Sequence, residues 1–383
     1  RPDRDKPFVE DLGELDSNVG AKLRAGQTDA AWLEAQRGPV GLQVVLVHGD
    51  RTQVLAEADH IWGPAAADRT QSASLLAWTR KVEGRWQLIV SRDGDKQTVC
   101  ESDDILCEPA VAEANRTAVA AFRSTTMDGP RITLTTAAGD MIFETAGRNP
   151  RVAGGPTSCF LAYEQTSTNA CHVRLIEFAG AKILRQLTLP AGDQLNLAPH
   201  VTVDPDDGCV YIAHEACPGW GHDHFLGRHR DLYLWRLDVG AEQAVAAPGR
   251  LPVPYRASHD LNEPPVQARV LIIDGQPAVA FRRFVYYASR PFSWHVYLMR
   301  FDGASWSTPA RISSEHGLPE TDYAVLANGD GLLAGFTCCA ARSPFTREDY
   351  FAGREARGMP GRVHDTWVEF ASIPVDTDHG PVP

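Results

Sequence analysis

The most constraining feature of this chain is a repeat. A short apolar run that ends on a larger or polar residue returns along the whole sequence. It reads Val44-Val45-Leu46-Val47-His48, Leu75-Leu76-Ala77-Trp78-Thr79-Arg80, Val119-Ala120-Ala121-Phe122-Arg123 and Phe160-Leu161-Ala162-Tyr163-Glu164. It continues as Tyr211-Ile212-Ala213-His214-Glu215, Val279-Ala280-Phe281-Arg282-Arg283 and Leu332-Leu333-Ala334-Gly335-Phe336. The spacing is mostly about 40 to 55 residues, the length of one propeller blade.

A second element, Pro-x-Val, precedes several copies: Pro109-Ala110-Val111, Pro150-Arg151-Val152, Pro199-His200-Val201 and Pro264-Pro265-Val266. Asp322-Tyr323-Ala324-Val325 is a degenerate copy. Turns such as Asp204-Pro205-Asp206-Asp207-Gly208 and Asp274-Gly275 then lead into the apolar strand. Asp-Gly is a strong hairpin signal. A third strand follows at Leu232–Leu237 and Val296–Phe301, and an outer strand at Thr308–Ile312. These patterns predict an all-β chain: one seven-bladed β-propeller of four-stranded antiparallel blades over residues 1–383, with Phe8–Leu15 adding a strand to the last blade. Asp29–Gln36 is the one stretch read as a short helical turn.

The formal net charge of −12 argues against nucleic acid as a general partner, since phosphate backbones need a basic face. No apolar run reaches the ~18 residues of a membrane span. The N-terminal residues lack the apolar core of a signal peptide, so an exported protein would already have lost its leader. The chain is expected to be a monomer. Eight cysteines are present. Cys100 with Cys107, Cys159 with Cys171, Cys209 with Cys217, and Cys338 with Cys339 are close enough in sequence to pair. Such pairs would fit a secreted or periplasmic setting; buried free thiols are the other reading.

Two long insertions stand out, Cys217–Arg230 and Ala340–Val363, the second rich in arginine. The first holds Cys217, His222, His224 and His229, residue types that bind structural zinc and that would staple a loop with little core of its own. The alternative is a polar loop. In the Pro-x-Val strand the middle residue, Ala110, Arg151, His200 or Pro265, is expected to face the channel mouth. His200 suits general-base work. Tyr255, Arg256, His259 and Asp260 lie just before another inner strand. Arg80, Arg123, Arg282 and Arg283 end apolar strands and can fork onto a carboxylate, or else form blade salt bridges. Glu164 and Glu215 end equivalent strands and could serve a glycoside hydrolase, which needs two opposed carboxylates. Ser91-Arg92-Asp93-Gly94-Asp95 is the nearest stretch to a sialidase Asp-box, with the wrong spacing.

The blades Val210–Leu237 and Ala278–Ile312 resemble those of secreted sialidase-type propellers, most of all the ulvan lyases and related uronic-acid polysaccharide lyases. The resemblance implies β-elimination on an anionic polysaccharide, with a His/Tyr pair matched by His200 and Tyr255. It implies an arginine such as Arg282 on the uronate carboxylate, with Arg151, Arg123, Arg80, His259 and Arg283 as further substrate contacts. It also implies a structural zinc at Cys217–His229 and no organic cofactor. A glycoside hydrolase on a related glycan, or a propeller that only binds glycan or protein, are the alternatives.

Overall fold

The computed structural model describes residues 31–37, 41–48, 51–67, 74–167, 170–190, 195–217, 230–253, 257–258, 261–262, 265–285, 293–313, 323–328, 331–339 and 366–374. Among them all regular structure is β. The first sheet contains β1 (Ala31–Arg37), β2 (Leu42–His48) and β3 (Arg51–Ala58). The second is β4 (His60–Ala66), β5 (Leu75–Val82), β6 (Arg85–Arg92) and β7 (Asp95–Ser102). The third is β8 (Ile105–Ala114), β9 (Thr117–Thr126), β10 (Gly129–Thr136) and β11 (Met141–Ala146). The fourth is β12 (Arg148–Gly154), β13 (Cys159–Thr166), β14 (Cys171–Ala179) and β15 (Lys182–Thr188). The fifth is β16 (Leu195–Val203), β17 (Val210–Cys217), β18 (Asp231–Leu237) and β19 (Val245–Arg250). A small hairpin, β20 (Ala257–Ser258) and β21 (Leu261–Asn262), precedes the sixth sheet. That sheet is β22 (Pro265–Ile273), β23 (Gln276–Val285), β24 (Ser293–Arg300) and β25 (Ala310–Arg311). The seventh contains β26 (Tyr323–Asn328), β27 (Gly331–Cys339) and β28 (Thr366–Pro374).

Every strand pairs antiparallel with its sequence neighbour, so each sheet is a meander. The seven apolar runs read from the sequence are the second strands, β2, β5, β9, β13, β17, β23 and β27. Several turns are two-residue hairpins whose central residues both have positive φ, at Glu83-Gly84, Asp93-Gly94, Asn115-Arg116 and Asp274-Gly275. That backbone matches the right-handed twist of the flanking strands.

Hydrophobic cores lie between consecutive sheets. Leu33, Val44 and Trp78 join the first sheet to the second, and Leu88, Val111 and Phe122 join the second to the third. Ile132, Leu161 and Phe178 fill the next interface, and Phe160, Val201 and Ile212 the one after. Tyr211, Phe281 and Met299 pack the fifth sheet on the sixth, and Leu271, Val296 and Tyr323 the sixth on the seventh. The first strands of neighbouring sheets also touch, β1 with β4, β4 with β8, β8 with β12, β12 with β16, β16 with β22 and β22 with β26.

Two readings are corrected here. Ala31–Arg37 is a strand and not a helical turn, because its backbone pairs with β2 and buries Leu33. The cysteines Cys100, Cys107, Cys159, Cys171, Cys209 and Cys217 form no disulfides. Cys159 and Cys171 begin adjacent antiparallel strands, which puts them at opposite ends of the pair, roughly 20 Å apart at ~3.3 Å per residue. Cys209 and Cys217 flank the length of β17 in the same way. Phe8–Leu15 lies outside the described residues.

Candidate functional site

Strand direction gives each sheet two ends. At one end the first strand enters, the second leaves and the third begins. The described strands on either side of residues 218–229 and 340–365 end and begin here, as do those on either side of 191–194, 286–292 and 314–322. It is the loop-bearing end, and the predicted arginines and carboxylates gather on it.

The gathering has a backbone cause. The first strand of five sheets carries a bulge near its entry, between Trp62 and Ala65, Cys107 and Ala110, Arg148 and Arg151, Leu197 and His200, and Val266 and Arg269. In four of them the leading bulge residue is left-handed: Glu108 (φ 51), Asn149 (φ 52), Ala198 (φ 48) and Gln267 (φ 53). Proline follows in three, where a bulge tolerates its missing N–H. In the sixth sheet Ala268 takes that place. The equivalent of Arg151 and His200 is therefore Arg269, and the Pro264-Pro265-Val266 alignment is shifted by four residues.

In three of the four left-handed bulges the preceding sheet supplies the acceptor for the N–H of the leading residue. Asn149 donates to Glu108 Oε2 at 2.9 Å, Ala198 to Glu164 Oε1 at 2.6 Å and Gln267 to Glu215 Oε1 at 2.6 Å. Glu164 also accepts from Arg148 Nε at 2.5 Å and Asn149 Nδ2 at 2.5 Å, and Glu215 is paired with Arg230. Both carboxylates are about 1% exposed. Burial pushes the Glu215 carboxyl above its ordinary value, and the Arg230 charge opposes that rise. These clasps take up the two candidate hydrolase carboxylates.

The position held by Glu164 and Glu215 is Arg123 in the third sheet and Arg282 in the sixth, each opposite the residue before a bulge. Both arginines turn to the bulge residue of their own sheet. Arg123 meets Glu108 at 3.1 Å and also donates from Nε to Cys107 Sγ at 3.1 Å. Arg282 Nη1 donates to Gln267 Oε1 at 2.7 Å. Arg283, one residue on, is equally buried, and Arg80 donates from Nε to Gln87 Oε1 at 3.1 Å. Arg151 is half-buried on β12.

His200 is 9% exposed. Its strand is packed on both faces, and Nδ1 accepts the Val270 N–H of the next sheet at 3.2 Å, which puts the ring proton on Nε2. His214 follows Ala213, the residue opposite His200. It is fully buried: Nδ1–H donates to the Glu215 carbonyl at 3.1 Å and Nε2 accepts the Trp235 indole N–H at 2.9 Å. Tyr255, His259, His222, His224 and His229 lie outside the described residues. Cys217, the remaining zinc candidate, ends β17 in an apolar cluster with Cys171, Leu195 and Leu197. Among the described residues no three His, Cys, Asp or Glu are grouped to hold a metal ion. Sequence reasoning missed Gln267 and Tyr323. The Tyr323 hydroxyl donates to Gln267 O at 2.6 Å and lies 2.9 Å from Ala280 O. Nothing local in sequence marks either contact.

No family model and no curated protein matches the chain. Among solved structures it is similar to a puromycin-hydrolyzing peptidase of Mycobacterium tuberculosis, at 12% identity over 87% of this chain and 51% of that one, TM-score 0.47. The chain thus spans about half the length of that peptidase. It is also similar to a neuraminidase-like protein from A/bat/Guatemala/164/2009, at 9% identity over 72% of this chain and 82% of that one, TM-score 0.46. A third is the subtype N11 neuraminidase-like protein of A/flat-faced bat/Peru/033/2010 (H18N11), at 10% identity over 97% and 90%, TM-score 0.44.

Proposed function

We propose that the chain is a seven-bladed β-propeller that takes a carboxylate-bearing glycan at its loop-bearing end and cleaves it by β-elimination. The propeller reading is supported by the succession of cores between consecutive sheets and by the row of touching first strands. The observation that carries the functional reading is the Arg282-Arg283 pair, each 4% exposed, at the loop-bearing end of β23 in a chain of net charge −12. Consecutive strand residues point to opposite faces, so the two guanidinium groups are presented separately, and a guanidinium at a strand end can fork onto a carboxylate.

In the proposed reaction a base removes the proton α to the uronate carboxylate. The electron pair forms the ring double bond, the glycosidic C–O bond breaks, and the departing oxygen is protonated. Arg282 faces the carboxylate and stabilises the charge that develops on it. His200 in its Nε2–H form is a proton donor, so it is assigned to the departing oxygen and Tyr255 to proton abstraction. Hydrolysis is disfavoured because Glu164 and Glu215 are buried in clasps. A polymeric substrate would place the protein outside the cytoplasm.

The test is a panel of galacturonate-, glucuronate- and mannuronate-containing polymers. Elimination produces an unsaturated sugar that absorbs in the ultraviolet, and Arg282→Lys is expected to lower its rate at least about tenfold, since lysine lacks the planar fork. New reducing ends without absorbance would mean hydrolysis. No product and no binding across the panel would overturn the reading. Zinc at Cys217, His222, His224 and His229 is a separate proposal. Metal analysis of the purified chain that finds no zinc, with a melting temperature indifferent to chelator, removes it.

A further inference from the structure

Of the seven asparagines in the chain, Asn115 alone is followed two residues later by serine or threonine, as Asn115-Arg116-Thr117. That spacing is the acceptor pattern for asparagine-linked oligosaccharide, and the residue between is not proline. So short a pattern matters only where the fold presents it. Asn115 and Arg116 are the central residues of the turn between β8 and β9, at the end of the sheets opposite the loops. Both have left-handed backbone, at φ 48 and φ 62. A two-residue hairpin turn of this kind carries its tip out of the sheet, and asparagine is among the few residues that take such a backbone readily. Asn115 and Arg116 are exposed, as are Pro156 and Thr157 beside them.

The tip is braced from both neighbouring sheets. Arg92 Nη1 of the second sheet donates to Arg116 O at 3.3 Å, and Asn115 Nδ2 donates to Thr157 O, in the β12–β13 connection of the fourth, at 3.2 Å. A carboxamide nitrogen carries two hydrogens, and that bond uses one of them. A sugar attached to Nδ2 replaces one hydrogen and leaves the other. The brace to Thr157 and a substituent on Asn115 are therefore compatible.

We propose that Asn115 is an acceptor for N-linked oligosaccharide, donated from a lipid-linked diphosphate sugar by an oligosaccharyltransferase. Nδ2 forms a bond to C1 of the first sugar, the C1–O bond to the diphosphate breaks, the lipid diphosphate leaves, and the amide gives one proton to a base of the transferase. No oxidant or reductant enters. The site lies at the other end of the sheets from Arg282 and Arg283, so a bulky, solubilising chain there leaves the loop-bearing end uncovered. The inference is independent of the lyase reading.

The experiment expresses the full chain behind a cleavable secretion leader in a eukaryotic cell line, whose secretory lumen supplies transferase and donor. Secreted and cell-retained chain are both examined by gel and by peptide mapping, before and after peptide-N-glycosidase, which converts a glycosylated asparagine to aspartate. The expected result is one gel shift, removed by the glycosidase, with the conversion at position 115. Glutamine fits a left-handed backbone poorly, so the variants change Thr117 and leave Asn115 in place. Thr117→Ala removes the hydroxyl of the acceptor pattern and is expected to abolish the shift, whereas Thr117→Ser keeps the hydroxyl and is expected to retain it. An unshifted native chain with an unmodified Asn115 peptide in both fractions overturns the proposal. So does a shift that survives Thr117→Ala.

Discussion

His214 is sealed between Glu215 O and the Trp235 indole, with Tyr233 stacked at 5.6 Å. Burial lowers its pKa to about 4. The folded protein therefore binds this proton less readily than the unfolded chain, whose histidine titrates near 6.5. The sign follows: the contribution to stability is full above about pH 6.5 and is lost as pH falls toward 4, by about 3 kcal/mol. Urea unfolding followed by tryptophan fluorescence should show that decline, and His214→Gln, which cannot take the proton, should flatten it. A native profile no steeper than that of the variant would remove His214 as the cause. Glu164 allows a parallel prediction. Glu164→Gln leaves Arg148 without its carboxylate and weakens the clasp on Ala198, and it is expected to cost about 3 kcal/mol in the same assay. The sequence grouped Glu164 with Glu215, and Arg80, Arg123, Arg282 and Arg283 with one another, as strand-end residues; the register puts Glu164, Glu215, Arg123 and Arg282 at one position and Arg80 and Arg283 one residue beyond it. Sequence alone could not separate clasp from ligand contact, because their partners, Ala198, Gln267 and Glu108, come from other strands or sheets.

At the level of strands and turns, legibility followed how local the cause was. The apolar second strands were readable because both faces are buried, so their residues need no polar alternation. The bulges were half readable. Proline after the left-handed residue marked Glu108, Asn149 and Ala198, whereas Gln267 is followed by alanine and the register was misplaced. Ala31–Arg37 was misread because its strand state comes from pairing with β2. Two substitutions probe this scale. At Gly154 an added Cβ would lie 1.9 Å from the Glu113 carbonyl oxygen, so Gly154→Ala must separate β12 from β8. The expected cost is about 3 kcal/mol, read as a lower urea midpoint, and an unchanged midpoint would contradict the packing. Arg116 sits at φ 62 in the β8–β9 turn, a conformation that suits glycine. Arg116→Gly is expected to relieve strain and raise stability by about 0.5–1 kcal/mol, provided the lost chain stiffness does not offset it fully. A lower melting temperature would count against that balance.

Among the described residues both ends of the sheets carry exposed acids, the loop-bearing end Asp59, Glu83, Asp103, Asp104 and Asp128. The hairpins at the end opposite the loops carry the exposed Asp93, Asp140, Asp206, Asp207, Asp274 and Asp302. The loop-bearing end carries Arg80, Arg123, Arg148, Arg230, Arg282 and Arg283, several of them paired. An anionic polymer approaching from a distance meets the net charge of −12 and is repelled; only within a few ångströms does it meet the arginines. Salt acts differently on the two. The Debye length shrinks from ~30 Å at 0.01 M to ~10 Å at 0.1 M, which screens the long-range repulsion, while contacts to buried arginines are screened far less. The association rate of a uronate polymer is therefore expected to rise between those salt concentrations, with the dissociation rate changing little. Stopped-flow mixing with a fluorescently labelled polymer measures both. A basic surface that steers the polymer would give the opposite trend, since neutralised phosphates or carboxylates release counterions and binding weakens with salt. A falling association rate would mean that the approach is governed by a positive field that the described arginines do not account for, and the buried arginines would lose their role in capture.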